Sequence, residues 1–183
     1  MTVEEDAVGT VASLMALSAR TAPKSKGTDV LVITVIGRDR LGVLADEMRA
    51  HGKQYEIGFF LRDAENVANS DACVIIGARG GEVLGLNCGG CGYPTCQEMS
   101  EAYRYPTTGE NTFGGPNCVL RMADLGIAVG SAVKTASIHN VDNRVMYSGG
   151  VGALRLGWLE GCSVAFAIPL RVSGKNIYFD RAH

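Results

Sequence analysis

The sequence predicts an α+β fold in which a central sheet is flanked by long helices and interrupted by a cysteine-rich loop. Three observations lead there. Two short runs, residues 30–36 and 72–77, are largely apolar and rich in β-branched side chains, as strands buried in a sheet are. Two longer stretches, residues 3–20 and 119–139, carry apolar or small residues at helical spacing. Between the second strand and the second long helix, residues 84–118 hold four of the six cysteines amid glycine and proline. At 183 residues the chain is read as one α+β domain over 1–183, with residues 84–118 as an insert within it.

In order, residues 3–20 place Val3, Ala7, Val8, Val11, Leu14, Met15 and Leu17 along one helical face. Pro23 and Gly27 stop that helix. The segment 19–27, Ala-Arg-Thr-Ala-Pro-Lys-Ser-Lys-Gly, gathers Arg20, Lys24, Ser25 and Lys26. These could form an anion pocket; the simpler reading is a solvated basic turn. Residues 30–36 follow as a central buried strand. Residues 38–51 form a helix with Leu41, Leu44, Ala45 and Met48 on one side and Gly52 as its stop. Residues 55–68 read as a further helix or an irregular segment that exposes Arg62, Asp63 and Glu65. The strand at 72–77 carries Cys73, taken as a core thiol because buried cysteine behaves as a small hydrophobe.

The loop 84–99 carries the chemistry. Cys88, Cys91 and Cys96 fall in a Cys-x2-Cys-x4-Cys pattern, and Cys118 arrives after 21 intervening residues. Thiolates this close suit one common centre better than ordinary disulfides. A 4Fe-4S cluster takes four thiolates from a loop free of helical or sheet commitment. Gly89, Gly90 and Gly92 give that freedom and leave backbone N–H groups to face the sulfurs. Pro94 fixes the turn before a helix-like run starting at Cys96, whose N-terminal partial charge favours an anion beside it. Structural zinc is the competing reading, since four cysteines also satisfy zinc, although its usual second Cys-x2-Cys knuckle is missing.

Residues 106–117 read as a turn-rich connection that must return Cys118 to the other three thiols. The helix over 119–139 is small-faced (Gly126, Ala128, Gly130, Ser131, Ala132, Ala136), which points to close packing or a subunit interface. Residues 141–157 read as another helix, broken at Gly149-Gly150. Within 138–144, Asn140 and Asp142 could cap an interhelical turn, or Asp142, Asn143 and Arg144 could line a pocket beside the cluster. A last strand spans 163–170 and ends at Pro169. Cys162, with no second cysteine near it, is read as a non-ligand.

Composition excludes several classes. Net charge is −2, so no basic field suits nucleic acid. No apolar run is long enough to span a bilayer. No phosphate-binding glycine motif, Ser-His-Asp arrangement or His-Glu-x-x-His is present. The acidic start, Met-Thr-Val-Glu-Glu-Asp, differs from a basic leader, and six cysteines without a secretory signal read as thiols or ligands, so a cytoplasmic setting is expected.

The segment Asn-Cys-Gly-Gly-Cys-Gly-Tyr-Pro-Thr-Cys resembles the 4Fe-4S domain of the corrinoid iron–sulfur protein and of membrane-associated electron-transfer subunits. Cys88, Cys91 and Cys96 match that motif residue by residue, and Cys118 matches it in order but not in spacing. Over nearly its full length the chain also resembles a prokaryotic family described as containing a ferredoxin domain. Residues 19–27, 60–66, 115–118, 124–128 and 141–147 carry the likeness. It implies a cluster; one-electron transfer to an unspecified redox partner is what such a cluster would do. A fainter similarity, in Ala-Arg-Thr-Ala-Pro-Lys-Ser and Asp124-Leu-Gly-Ile-Ala128, is to FMN-dependent nitroreductases, although their Arg-Arg-Ser signature is absent. That likeness implies an α+β sandwich that forms a homodimer through long helices, with FMN phosphate held near Arg20, Lys24 and Ser25.

Overall fold

A computed structural model describes residues 2–105 and 112–179; of the connection read at 106–117, residues 106–111 lie outside the described residues. Helix α1 (Val3–Thr21) opens with a capping box, in which Thr2 Oγ1 accepts from Glu5 N and Glu5 accepts from Thr2 N. A short 3-10 turn (Ser25–Gly27) leads to β1 (Leu31–Gly37), then α2 (Arg38–Gln54), α3 (Gly58–Ala68) and β2 (Ala72–Ala78). After the cysteine loop come α4 (Cys96–Ala102), α5 (Val119–Ile138), β3 (Asp142–Asn143), α6 (Tyr147–Arg155) and β4 (Val164–Arg171).

The four strands form one antiparallel sheet in the order β1-β2-β4-β3. Strand β2 is buried along its whole length, and its side chains divide by the two-residue period of a strand. Val74 and Ile76 face a core completed by α1 and α5, including Met15, Leu125, Ala128 and Ala132. Cys73 and Ile75 face a second core with Leu44, Met48, Phe60 and Val151 from α2, α3 and α6. Helices therefore cover both faces of the sheet, as the α+β reading requires.

Several expectations are corrected. The run at 30–36 forms an edge strand, with Val35 40% exposed. It is β2 and β4 that lie inside, because each has a neighbour on both sides and side chains in both cores. Asp63 is buried among α3, α6 and Arg62, accepting from Ser148 Oγ at 2.7 Å and from the Arg62 guanidinium at 2.7 Å. The span 141–157 is divided: β3 pairs with the end of β4 before α6 begins. Pro169 does not end β4, which runs on to Arg171. On α5, Ala128, Ala132 and Ala136 are buried, and Ser131 Oγ donates to Ser18 O of α1 at 3.1 Å. The small face is thus intramolecular in part, whereas Gly126 and Gly130 look onto open space.

His51, near the end of α2, is 1% exposed between Tyr55 and Phe60, each ring centroid 4.7 Å away. Neither ring nitrogen has a hydrogen-bond partner among the described residues. Burial, with help from the Arg155 charge and against Glu47, holds the imidazole below its ordinary pKa. A histidine depressed in the folded state contributes stability that is complete above its unfolded pKa, about 6.5, and declines as pH falls toward the folded value. The urea midpoint is therefore expected to fall on acidification below that point. His51→Leu should flatten the dependence, and an equally steep slope in that variant would remove His51 as its source.

Candidate metal centre

The cysteine loop leaves the end of β2 and returns to the same place. Three segments deliver its thiols. Cys88 and Cys91 sit on a loop with Gly89 and Gly92 at φ 71° and 87° and a Gly92 N–H to Gly89 O bond of 2.9 Å. Cys96 is the first residue of α4, whose N-cap Thr95 accepts from Glu98 N. Cys118 is the N-cap of α5. The four cysteines line a single cavity of about 260 Å³, counted with its open side, together with Val83, Met99 and Val119. Cys88 is exposed, Cys91 and Cys96 are half-buried and Cys118 is buried, so the cavity has a wet rim and a dry floor.

Backbone geometry sets Cys96. Asn87 adopts φ 48°, donates its N–H to Cys96 Sγ at 3.4 Å and accepts the Cys96 N–H on its side-chain oxygen at 2.8 Å. Cys118 is held from the other side. Its N–H donates to Gly80 O at 2.8 Å, and Gly80 N donates to Ser163 Oγ, which itself donates to Asn117 Oδ1 at 2.6 Å. A Cβ on Gly80 would lie 2.0 Å from Asn117 Oδ1 and 2.6 Å from Ser163 Oγ, so a side chain here would displace both partners. The return of the chain is closed by Arg104 and Gly115, which exchange both backbone hydrogen bonds. This non-local pairing brings Cys118 to Cys88, Cys91 and Cys96 despite the 21-residue gap.

The base of the loop is clamped by residues whose roles the sequence does not reveal. Arg121, 3% exposed and one turn into α5, donates to Glu82 O at 3.0 Å and Thr28 O at 2.9 Å, and pairs with Asp124 at 3.4 Å. Lys26 Nζ donates to Leu84 O at 3.0 Å. The segment read as a possible flavin-phosphate pocket is engaged in this clamp. Ser25 donates both its N–H and its hydroxyl to Asp124 Oδ1, at 2.8 and 2.9 Å. Lys24 Nζ donates to the carbonyls of Ala19, Arg20 and Ala22 at the end of α1. Arg20 pairs with Asp29 at 2.6 Å and donates to Leu31 O. An anion there would have to displace these partners.

Arg121→Met keeps the apolar stem of the side chain and removes its donors. It leaves Asp124 buried without its cation, a change worth about 3–5 kcal/mol in buried pairs. We expect a fall of that size in unfolding free energy by urea titration. A change within experimental error would show that the clamp does not hold the loop.

The pocket reading for residues 142–144 is corrected. Asp142 and Asn143 pair with Arg171 and Leu170, whereas the cysteines adjoin the end of the sheet where Ala78 pairs with Val164. They stand at the opposite end of β4, where Arg144 donates to Tyr178 O and Asp142 accepts from Asn176. Cys73 and Cys162 lie in the second core. Burial pushes their thiols up to about 12 and about 11, which keeps them protonated and unsuited to ligation.

A four-stranded antiparallel sheet with helices on both faces, carrying a cysteine-lined loop at one end, makes this an α+β protein with a candidate metal-binding loop. The chain belongs to the family described as "Uncharacterized protein containing a ferredoxin domain", whose model matches residues 114–181. A second model, described as "Putative Fe-S cluster", matches residues 85–103. An uncharacterized protein of Archaeoglobus fulgidus is 44% identical over 181 residues, covering 98% of this chain and 94% of its own length. Among solved structures, a nitroreductase with bound FMN from Desulfitobacterium hafniense superposes with a TM-score of 0.57 at 12% identity, over 91% of this chain and 78% of that one. An FMN-dependent nitroreductase from Clostridium difficile gives 0.54 at 15% identity, over 91% and 76%. At these identities the likeness is one of fold. No helix among the described residues is long and apolar enough to cross a membrane.

Proposed function

We propose that Cys88, Cys91, Cys96 and Cys118 hold a 4Fe-4S cluster and that the protein transfers single electrons in a reducing, cytoplasmic setting. The observation that carries this is the convergence of all four thiols on one cavity from three separate segments. A lone zinc ion requires thiolates that meet at about 2.3 Å from one point. The loop lacks the second Cys-x2-Cys knuckle usual at zinc sites, and the iron–sulfur family model that matches residues 85–103 supports a polynuclear centre.

When bound, a cubane cluster supplies one-electron redox chemistry. The chain's part is positional and electrostatic. The Asn87 N–H directed at Cys96 Sγ stabilises thiolate charge, and the fully buried Met99 keeps water from the floor. The exposed edge at Cys88 gives a redox partner its shortest approach. The test is iron, sulfide, zinc and flavin content of anaerobically purified protein. About four irons and four sulfides per chain are expected; one zinc without sulfide would overturn the proposal.

The nitroreductase-like fold favours a second reading, in which the cluster passes electrons to FMN and the protein is a reductase. Flavin released on heating, alongside iron, would establish it, and iron without flavin leaves the carrier reading. We further infer a homodimer through the α1–α5 layer, where Leu14, Leu17, Ile127 and Ile138 are exposed. Light scattering is expected to give twice the chain mass, and a single-chain mass would remove the inference.

A further inference from the structure

At the end of the sheet remote from the cysteines, α2 begins, β2 begins and β4 ends, and their arginines meet on one carboxylate. Asp71 is 5% exposed at its side chain. Its Oδ1 accepts from Arg38 and, at 2.8 Å, from Arg171, while Oδ2 accepts from Val172 N at 2.9 Å. A shared acceptor fixes two guanidinium groups side by side. Each guanidinium carries five N–H donors, and one carboxylate oxygen satisfies only a fraction of them.

The two arginines line a hollow of about 490 Å³, together with Asn66 and Ser70 and with the apolar Leu41 and Ile177. No carboxylate lines it. The acids that share these arginines, Glu5 and Asp71, line the neighbouring hollow on the other side with Glu4. The last carbonyls of α3, which would repel an anion, are already covered: Asn69 Nδ2 donates to Glu65 O at 2.8 Å and Ser70 Oγ to Asn66 O at 2.7 Å. The lining therefore offers positive charge and donors on one side and an apolar wall on the other.

We propose that this hollow is a binding site for a small organic oxyanion, a phosphate monoester or a carboxylate with an apolar body, held by Arg38 and Arg171. The paired guanidiniums match the flat, multi-oxygen face of such groups. Leu41 and Ile177 take up the remainder of the ligand, and the volume suits a molecule of mononucleotide size. The site stands at the other end of the sheet from the cysteine cavity and does not depend on what that cavity holds.

The test is calorimetric titration of the protein as purified with three probes: inorganic phosphate, adenosine monophosphate and benzoate. Saturable binding that weakens as salt is raised is expected from at least one. Phosphate and the mononucleotide binding without benzoate would assign a phosphoryl ligand, and benzoate alone a carboxylate. Arg171→Ala and Arg38→Lys should each weaken binding about tenfold or more, the loss expected when a bidentate partner is removed or replaced by a point charge. Because these changes also touch Asp71, Asn66→Leu serves as a variant outside the ion pairs and is expected to weaken binding with the unfolding midpoint unchanged. Lys53→Ala, at the far end of α2, should leave affinity unaltered. Absence of saturable binding by all three probes, or affinity undiminished in both Arg171→Ala and Asn66→Leu, would overturn the proposal.

Discussion

Cys118→Ser is expected to lose nearly all bound iron and sulfide, from about four of each per chain, while the polypeptide stays folded. Cys118 is the N-cap of α5 and makes no side-chain capping bond. Serine is a preferred N-cap residue, worth about 0.5–2 kcal/mol over alanine at such positions, so the apo helix is not weakened by the change. The backbone bond from residue 118 to Gly80 O is untouched by a side-chain substitution. Loss of metal would then report loss of a ligand and not of the fold. Cys96→Ser should behave in the same way, since Cys96 is half-buried at the rim and its N–H partner Asn87 remains. Cys73→Ala and Cys162→Ala are the contrasting pair: both thiols are buried in the second core and held protonated, and both variants should keep their iron. The measurement is iron and sulfide per chain with circular dichroism on the same samples. Full iron in Cys118→Ser would leave three protein ligands and sink the four-cysteine assignment. Iron lost from Cys162→Ala with its circular dichroism unchanged would place the centre elsewhere.

What the sequence discloses here depends on how local the physics is. Three candidate ligands within nine positions stand out, because their spacing allows the thiols to meet. Cys118 belongs with them only through the Arg104–Gly115 pairing and the Gly80 anchor, contacts between segments that no pattern connects. The basic turn shows the same limit. Its residues read as an anion pocket or a solvated turn, yet Ser25 has its partner in Asp124, 99 positions away, and Lys26 has its partner in Leu84. Three of the four strands were legible as apolar runs, but β3 at Asp142–Asn143 was not, nor were edge and centre. Apolar composition at residues 30–36 and 72–77 is alike, and only the sheet order distinguishes β1 from β2. Asp63 was misplaced because a charged residue in a helical pattern is most simply exposed, whereas here it is paired with Ser148 and Arg62.

The glycines of α6 give the second large effect. Gly150→Ala is expected to destabilise the protein by about 3 kcal/mol or more, at or beyond the upper end for overpacked sites. Gly149-Gly150 reads in the sequence as a helix break, but α6 continues through both, and the reason lies across the interface. A Cβ on Gly150 would stand 1.9 Å from Ala165 O, 2.4 Å from Ala165 C and 2.8 Å from Phe166 N, all backbone atoms of β4. Strand β4 is an inner strand bonded to β2, so it cannot retreat without disturbing the ladder that runs from Ala72 to Ala78. Helix propensity alone argues the reverse, since alanine improves on glycine by about 0.5–1 kcal/mol in a helix interior. Gly126→Ala and Gly130→Ala in α5 isolate that term, because nothing lies within 4 Å of the added methyl at either position. Those two variants should gain up to about 1 kcal/mol. Urea titration of the three together separates close approach from backbone entropy. If Gly150→Ala proved as stable as the α5 variants, contact between α6 and β4 would be looser than the packing requires, and the glycine would be a feature of the helix alone.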